Sequence, residues 1–359
     1  MQAVILAAGK STRAYPLTLT KPKPLLKAAN KAILEHNLNN LNGIVDEVIL
    51  IVGYKKKMIG NQFGSKYKNI KLKYVEQKEQ LGTGHAAFLA EPYIKDRFIL
   101  MAGDDIYSKA DIKNCMKHQY SILTSETKNM SNASELRSKR TRSQLTNFGV
   151  IVKKNGILSD FLEKPKKFVS GVINTSFYTF DREIFRFLNQ IKKSERNEYE
   201  LPDAIKLLSK KKKIHCIKSK QWLPIGYPWD LLEADKVLRK NKNLIGKNSK
   251  IRGKVINSSI GDNCIIDGNI KNSIIMDNSI IDGNSIVEDS VIGENVHFSG
   301  KIKSKNGIYS IVKDRKIKIK RFGAVIADNV KAKNVIINAG FKIWPSKKIS
   351  DKIITKDMM

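Results

Sequence analysis

The stretch that decides how this chain is read is LAAGKSTRAYPLTLTKPKPLL, residues 6–26. It follows directly on the strand-like MQAVIL, and it is longer and more cationic than a turn that only reverses the chain. Gly9, Ser11 and Thr12 contribute backbone donors, Lys10, Arg13, Lys21 and Lys23 contribute charge, and Pro16, Pro22 and Pro24 stiffen the path. Such a loop is suited to holding an anion.

Outward from it, as far as about Leu244, apolar strand-like runs alternate with helix-like ones: QAVILAA, ILEHNLNNLNG, DEVILIVGY, KLKYVEQ, a helix from about Gly84 to Tyr93, and RFILMAGDD. The alternation predicts an α/β, Rossmann-like domain with a mixed, mostly parallel sheet, whose ligand sites lie beyond the strand C-terminal ends. Three polar clusters fall on that edge: the quoted loop, Glu76-Gln77 with QLGTG, and Gly103-Asp104-Asp105. Between Ser125 and Thr146 the pattern lapses into a polar, basic stretch, which predicts a mobile surface insertion.

After Asn243 the texture changes. Ile245, Ile251, Ile260, Ile266, Ile275, Ile281, Val287 and Ile292 recur among Gly, Asp, Asn and Ser in IGDNC, IDGN, IMDNS and IGEN. This is hexapeptide-type periodicity, with each branched residue pointing into a narrow parallel coil and small polar residues turning its corners. KNGIYSIVKDRKIKIKRF interrupts it as a hairpin around Lys313-Asp314-Arg315. Two domains are expected, 1–243 and 244–359. The coils are expected to hold a homo-oligomer together and to be dispensable for chemistry in the first domain.

The formal charge of +32, from 66 Lys and Arg against 34 Asp and Glu, would suit a nucleic-acid binder, but the lysines are dispersed and aromatics are 8% of the chain. No aromatic and basic platform is formed, so the field is expected to attract anionic metabolites, with no nucleic acid as partner. Cys115, Cys216 and Cys264 lack CxxC spacing and nearby histidines, which predicts neither disulfides nor zinc and a reducing cytoplasm. No apolar run approaches the about 18 residues of a membrane span, so no membrane partner is expected.

The loop resembles the motif of sugar-phosphate nucleotidylyltransferases: LAAG, a small residue, Thr-Arg, then Pro-Leu-Thr and Lys-Pro-Lys-Pro-Leu, with Ser11 at the variable glycine. The chain as a whole is similar to archaeal-type bifunctional sugar-1-phosphate nucleotidylyltransferase/acetyltransferases with a C-terminal left-handed β-helix. The backbone of Ala8, Gly9, Lys10, Ser11 and Thr12 would then cradle a triphosphate as a nest does, opposed by Arg13 and Lys23. Glu76-Gln77 and Gln80–Ala86 resemble the base-recognition segment, with Gln77, Gly82 and Thr83 reading UTP or dTTP. Asp104 matches the position that holds Mg²⁺. Gly149, Glu163, Lys164 and Asn174 resemble the sugar-phosphate pocket, and Glu200 and Asp203 lie in the same order. One departure stands out: the usual Trp-Leu-Asp-x-Gly reads Trp222-Leu223-Pro224-Ile225-Gly226, and Asp230 is expected to cap the helix it begins.

The resemblance implies an NDP-sugar and pyrophosphate made from a hexose 1-phosphate, glucose or N-acetylglucosamine 1-phosphate, and UTP or dTTP. Two alternatives accompany it: a bifunctional enzyme that also acetylates an amino sugar 1-phosphate, with His297 as the histidine available in the coils, and a non-catalytic regulatory paralogue, which Pro224 favours.

Overall fold

The computed structural model describes residues 1–126, 148–165 and 167–359. All but the first two residues of the predicted insertion between Ser125 and Thr146 lie outside the described residues. Contacts divide the chain into two compact units, one of Met1–Gly9 with His36–Leu223 and one of Lys10–Glu35 with Pro224–Met359.

In the first unit, strand Gln2–Ala7 is rich in small and branched residues buried on both faces, as a central parallel strand must be. It pairs in parallel with Glu47–Val52 on one side and Phe98–Ala102 on the other, and Glu47–Val52 pairs in parallel with Ile70–Glu76. Beyond Phe98–Ala102 the sheet turns antiparallel, because Val172–Phe180 runs back between it and Ser121–Glu126. The hairpin Gly149–Lys154 and Ile157–Glu163 completes that side. The parallel half therefore carries the loops after Ala7, Val52, Glu76 and Ala102 on one edge. Helices Thr83–Phe88, Glu183–Leu188 and Leu201–Ser209 contribute to a core in which Val4, Ile49, Leu100, Phe180 and Phe185 are buried. The expected helix from Gly84 to Tyr93 is shorter: it stops at Phe88, and Glu91–Tyr93 forms a separate 3-10 turn around Pro92.

In the second unit, parallel strand pairs stack coil on coil. Successive coils are offset by 15 residues early in the stack and by 17 later, with an offset of 34 where the hairpin is inserted. Three apolar columns result: Ile260, Ile275, Ile292 and Ile326; Ile266, Ile281 and Phe298; Ile270, Val287, Ile302 and Ile337. All are buried, at roughly 1.5–3 kcal/mol for each side chain removed from water. Ile245, expected inside, is 44% exposed, because it sits in the first coil of the stack.

The corners explain the abundance of asparagine. Asn248, Asn263, Asn278, Asn295 and Asn329 all have φ between 55 and 63°, the left-handed region that asparagine tolerates better than other residues with a Cβ. Their side chains form a ladder, with Asn248 donating to Asn263 and Asn263 to Asn278, each at 3.2 Å. Strands Lys305–Val312 and Arg315–Phe322 form the expected hairpin, and Lys313 and Asp314 both take positive φ, as a two-residue I′ turn requires.

The three cysteines are free; burial pushes the Cys115 thiol up to about 12 and that of Cys216 to about 11, which makes both poor nucleophiles. Among the described residues no helix is long and apolar enough to cross a membrane.

Candidate active site

Each polar cluster begins where a parallel strand stops. In the first unit, the Ala8 carbonyl accepts from Tyr54 N–H and from the Gln80 side-chain amide, both at 3.0 Å, so the loop after the first strand is joined to two others. Gly53 lies between them, and a Cβ there would stand 3.0 Å from the Ala8 carbonyl oxygen and 3.1 Å from that of Gln77. Gly103 N–H donates to Leu6 O at 2.9 Å, which sets the start of the Asp104-Asp105 pair against the first strand.

Gln77 is buried, and its Nε2 lies 3.1 Å from both the Gly82 carbonyl oxygen and His85 Nδ1. These two contacts hold the Gln77 amide in one orientation. Gly82 has φ +102° and caps helix Thr83–Phe88; an added Cβ would lie 2.6 Å from Tyr199 O. Thr83 Oγ1 accepts from Leu201 N–H at 3.2 Å.

The two aspartates have separate surroundings. Asp105 accepts the Trp222 indole N–H at 3.1 Å on Oδ2, and its carbonyl accepts from Asn37 at 2.7 Å. Asp104 is part-exposed beside it. Both carboxylates, after burial itself, keep the Tyr107 phenol well above its usual range, so Tyr107 remains a neutral donor to Thr175 O at 2.6 Å. Among the described residues no group of three His, Cys, Asp or Glu is placed to hold a metal ion. A lone, part-exposed carboxylate such as that of Asp104 is compatible with a hard divalent cation that keeps several waters, and not with an all-protein cage.

The residues expected around a sugar phosphate meet at the antiparallel side. Gly149 is the register partner of Glu163, and a Cβ on it would stand 2.7 Å from the Phe161 ring and 2.9 Å from Glu163 Oε2. Burial raises the Glu163 carboxyl above the usual carboxylate range; Lys164, with Nζ at 3.3 Å, opposes the rise and Glu200 reinforces it. Buried Asn174 occupies an irregularity in strand Val172–Phe180, where Ser176 has positive φ and Asn174 donates to the Tyr178 hydroxyl at 2.8 Å. Arg196 was not singled out from sequence; it lies 2.7 Å from Glu200 and 3.6 Å from Glu163, and its i,i+4 spacing to Glu200 was the available signal. Glu200 is thereby committed to Arg196 and to Ser194 Oγ at 3.0 Å, and Asp203 sits exposed on the first turn of helix Leu201–Ser209.

In the second unit, the loop from Lys10 onward engages its carbonyls internally. Ser11 has φ 50° and ψ 48°, and its carbonyl accepts from Ala14 N–H and Thr18 Oγ1, both at 3.0 Å. Among the described residues the N–H groups of Lys10, Ser11 and Thr12 donate to no protein acceptor, so the loop presents donors without competing acceptors. Arg13 is exposed and lies 5.7 Å over the Tyr227 ring. Lys23 is buried in a 3-10 turn between Pro22 and Pro24. Asp230 accepts from Gly226 and Tyr227 N–H at 2.9 and 2.8 Å, capping helix Pro228–Leu238 as its position suggested.

Two family models match the chain in succession. A nucleotidyl transferase family model matches residues 2–241, and a GMPPB C-terminal domain model matches 234–359. The chain is 39% identical over 264 residues to the bifunctional protein GlmU of Methanocaldococcus jannaschii, across 71% of this chain and 60% of that protein. It is 35% identical over 243 residues to the UTP–glucose-1-phosphate uridylyltransferase AglF of Haloferax volcanii, across 67% of this chain and 97% of AglF. The chain thus spans about 60% of the length of the GlmU relatives it matches. A UDP-glucose pyrophosphorylase solved with UDP-glucose shares the fold, with a TM-score of 0.57 and 22% identity over 67% of this chain and 99% of that one. With its family match running from the first strand through residue 241, the chain belongs to the nucleotidyl transferase family.

Proposed function

We propose that this protein joins a sugar 1-phosphate to a uridylyl group: an oxygen of the sugar phosphate attacks the α-phosphorus of UTP in line, the bond to the bridging oxygen of the β-phosphate breaks, and pyrophosphate leaves. The attacking phosphate is already ionised, so alignment and charge neutralisation suffice and no protein nucleophile is needed. The observation that carries the reading is the joining of loops at one sheet edge, where Ala8 O accepts from both Tyr54 and Gln80 beside the start of the anion-binding loop. The name of AglF supports a sugar 1-phosphate as substrate, with UTP and glucose 1-phosphate as the pair it prints.

In this reading the N–H groups of Gly9, Lys10, Ser11 and Thr12 bind the triphosphate, Arg13 and Lys23 offset its charge, and Gln77, Gly82 and Thr83 hold the uracil. Glu163 and Asn174 bind sugar hydroxyls, Gly149 leaves room for the ring, and Lys164 meets the sugar phosphate. Asp104 holds a divalent cation, Mg²⁺, which when bound neutralises phosphate charge. Self-association through the coils is supported by Ile336 and Ile353, which are register partners and exposed on one coil face. The test is formation of a UDP-sugar with release of pyrophosphate across a panel of sugar 1-phosphates.

A second reading, acetyl transfer by the coils, is favoured by His297, half-exposed with Nε2 2.9 Å from Asp282 Oδ1, and by the name of a 33% identical relative, the bifunctional sugar-1-phosphate nucleotidylyltransferase/acetyltransferase of Sulfurisphaera tokodaii. Release of CoA from acetyl-CoA with an amino sugar 1-phosphate, lost in His297→Ala, tests it.

A further inference from the structure

In the Lys21-Pro22-Lys23-Pro24 run both lysines are buried, and Lys21 is paired with carboxylates of the coils. Lys21 is 4% exposed, and its Nζ lies 2.5 Å from Glu294 Oε1 and 3.2 Å from Asp328 Oδ2, both on the stacked coils of the same unit. Thr20 Oγ1 donates to the same Asp328 oxygen at 2.6 Å, and the other oxygen of Asp328 accepts from the Glu294 backbone N–H at 2.8 Å, which ties the Asp328 carboxylate to the backbone that carries Glu294. Further along, Lys27 pairs with Asp277 and Asn30 donates to Ile260 O at 2.7 Å. The downstream end of the anion-binding loop is therefore pinned at successive levels of the stack. Pro22 fixes φ between the two lysines, and the Lys23–Leu25 turn is closed by Leu26 N–H to Lys23 O at 2.9 Å. Where Lys21 is anchored, Lys23 has little freedom.

We infer that Glu294 and Asp328 of the coils, acting through Lys21, are positioning residues that hold the loop carrying Arg13 and Lys23 in its working conformation. The inference rests on the nucleotidylyl transfer proposed above. It makes the coils part of the support of the catalytic loop, against the expectation that they are dispensable for the chemistry.

The experiment uses the full chain with UTP, Mg²⁺ and glucose 1-phosphate, and compares wild type, Lys21→Met, Glu294→Gln and the double variant. Each single change is expected to lower kcat at least tenfold with KM for glucose 1-phosphate within twofold, and the double variant should be no worse than the weaker single, because both changes cut one linkage. Hydrogen exchange of the amides of residues 10–26 should quicken in each variant while that of residues 98–105 stays as in wild type. A kcat within twofold of wild type in both single variants would overturn the inference. So would quickened exchange throughout the chain, which marks loss of folding. If wild type makes no UDP-sugar, the proposed function fails instead, and exchange alone decides the anchoring: unchanged protection of residues 10–26 overturns it and faster exchange confined there upholds it.

Discussion

Trp222 donates its indole N–H to Asp105 Oδ2 across 3.1 Å, linking the second aspartate of Gly103-Asp104-Asp105 to the strand that precedes Pro224. Asp105 is thereby tied into the structure, while in the proposed reaction Asp104 is the carboxylate that meets metal and substrate. Asp104→Asn is expected to fold normally and to lose about 10²–10³ in kcat, the scale for removing one electrostatic stabiliser of a transition state. Asp105→Ala is expected to cost about 1–3 kcal/mol in urea denaturation through its unpaired indole partner, and to keep turnover within a few-fold. Pyrophosphate release and urea titration of both variants check this, and the opposite pattern would exchange the two roles.

Glu163 gives a pH signature. Burial raises its folded-state pKa above the usual 4.5, so its contribution to stability is full below pH 4.5 and is lost as pH rises from there through the folded value. Glu163→Gln stays neutral throughout. Its melting temperature relative to wild type should therefore be higher at pH 7 than at pH 4, while kcat/KM for the sugar 1-phosphate falls about tenfold or more, as loss of a charged hydrogen bond of 1.5–3 kcal/mol implies. Parallel melting curves for the two proteins across that range would contradict the buried-carboxylate assignment.

Gly82→Ala puts a methyl 2.6 Å from Tyr199 O at a φ of +102°. The strain is expected to cost roughly 1–3 kcal/mol and to loosen the hydrogen bond that fixes Gln77. In the assay KM for UTP should rise more than KM for the sugar 1-phosphate. An equal rise in both would separate Gln77 from base recognition.

Asn263→Ala removes two rungs of the corner ladder and forces alanine into the left-handed region. Chemical denaturation should show Asn263→Gly to be more stable than Asn263→Ala by about 1 kcal/mol, the penalty a Cβ pays there. Equal stability of the two would mean that the ladder, not the backbone conformation, is what asparagine contributes.

The parts of this molecule that follow local rules were legible in its sequence. Alternating apolar runs marked the strands, the Lys313-Asp314 turn marked the hairpin, and the order of small, cationic and proline residues in 6–26 marked the family. What was not legible depends on partners distant in the chain. Nothing local marks Lys21 for pairing with carboxylates about 300 residues away, as the separation of 308 between Thr20 and Asp328 conveys. The same holds for the antiparallel half of the sheet, where Val172–Phe180 is as branched and aromatic as a parallel strand would be, and its direction is set by pairing alone. Arg196 escaped notice because a lysine- and arginine-rich chain hides one arginine whose worth comes from Glu163 and Glu200 beside it.

The proposed transfer is read out by incubating the full chain with UTP, Mg²⁺ and a panel of sugar 1-phosphates, and measuring UDP-sugar by mass spectrometry alongside pyrophosphate. One UDP-sugar is expected for each pyrophosphate released with at least glucose 1-phosphate or N-acetylglucosamine 1-phosphate, abolished by chelator and reduced by Asp104→Asn. Neither product with any sugar, from a folded protein at saturating nucleotide, would contradict it.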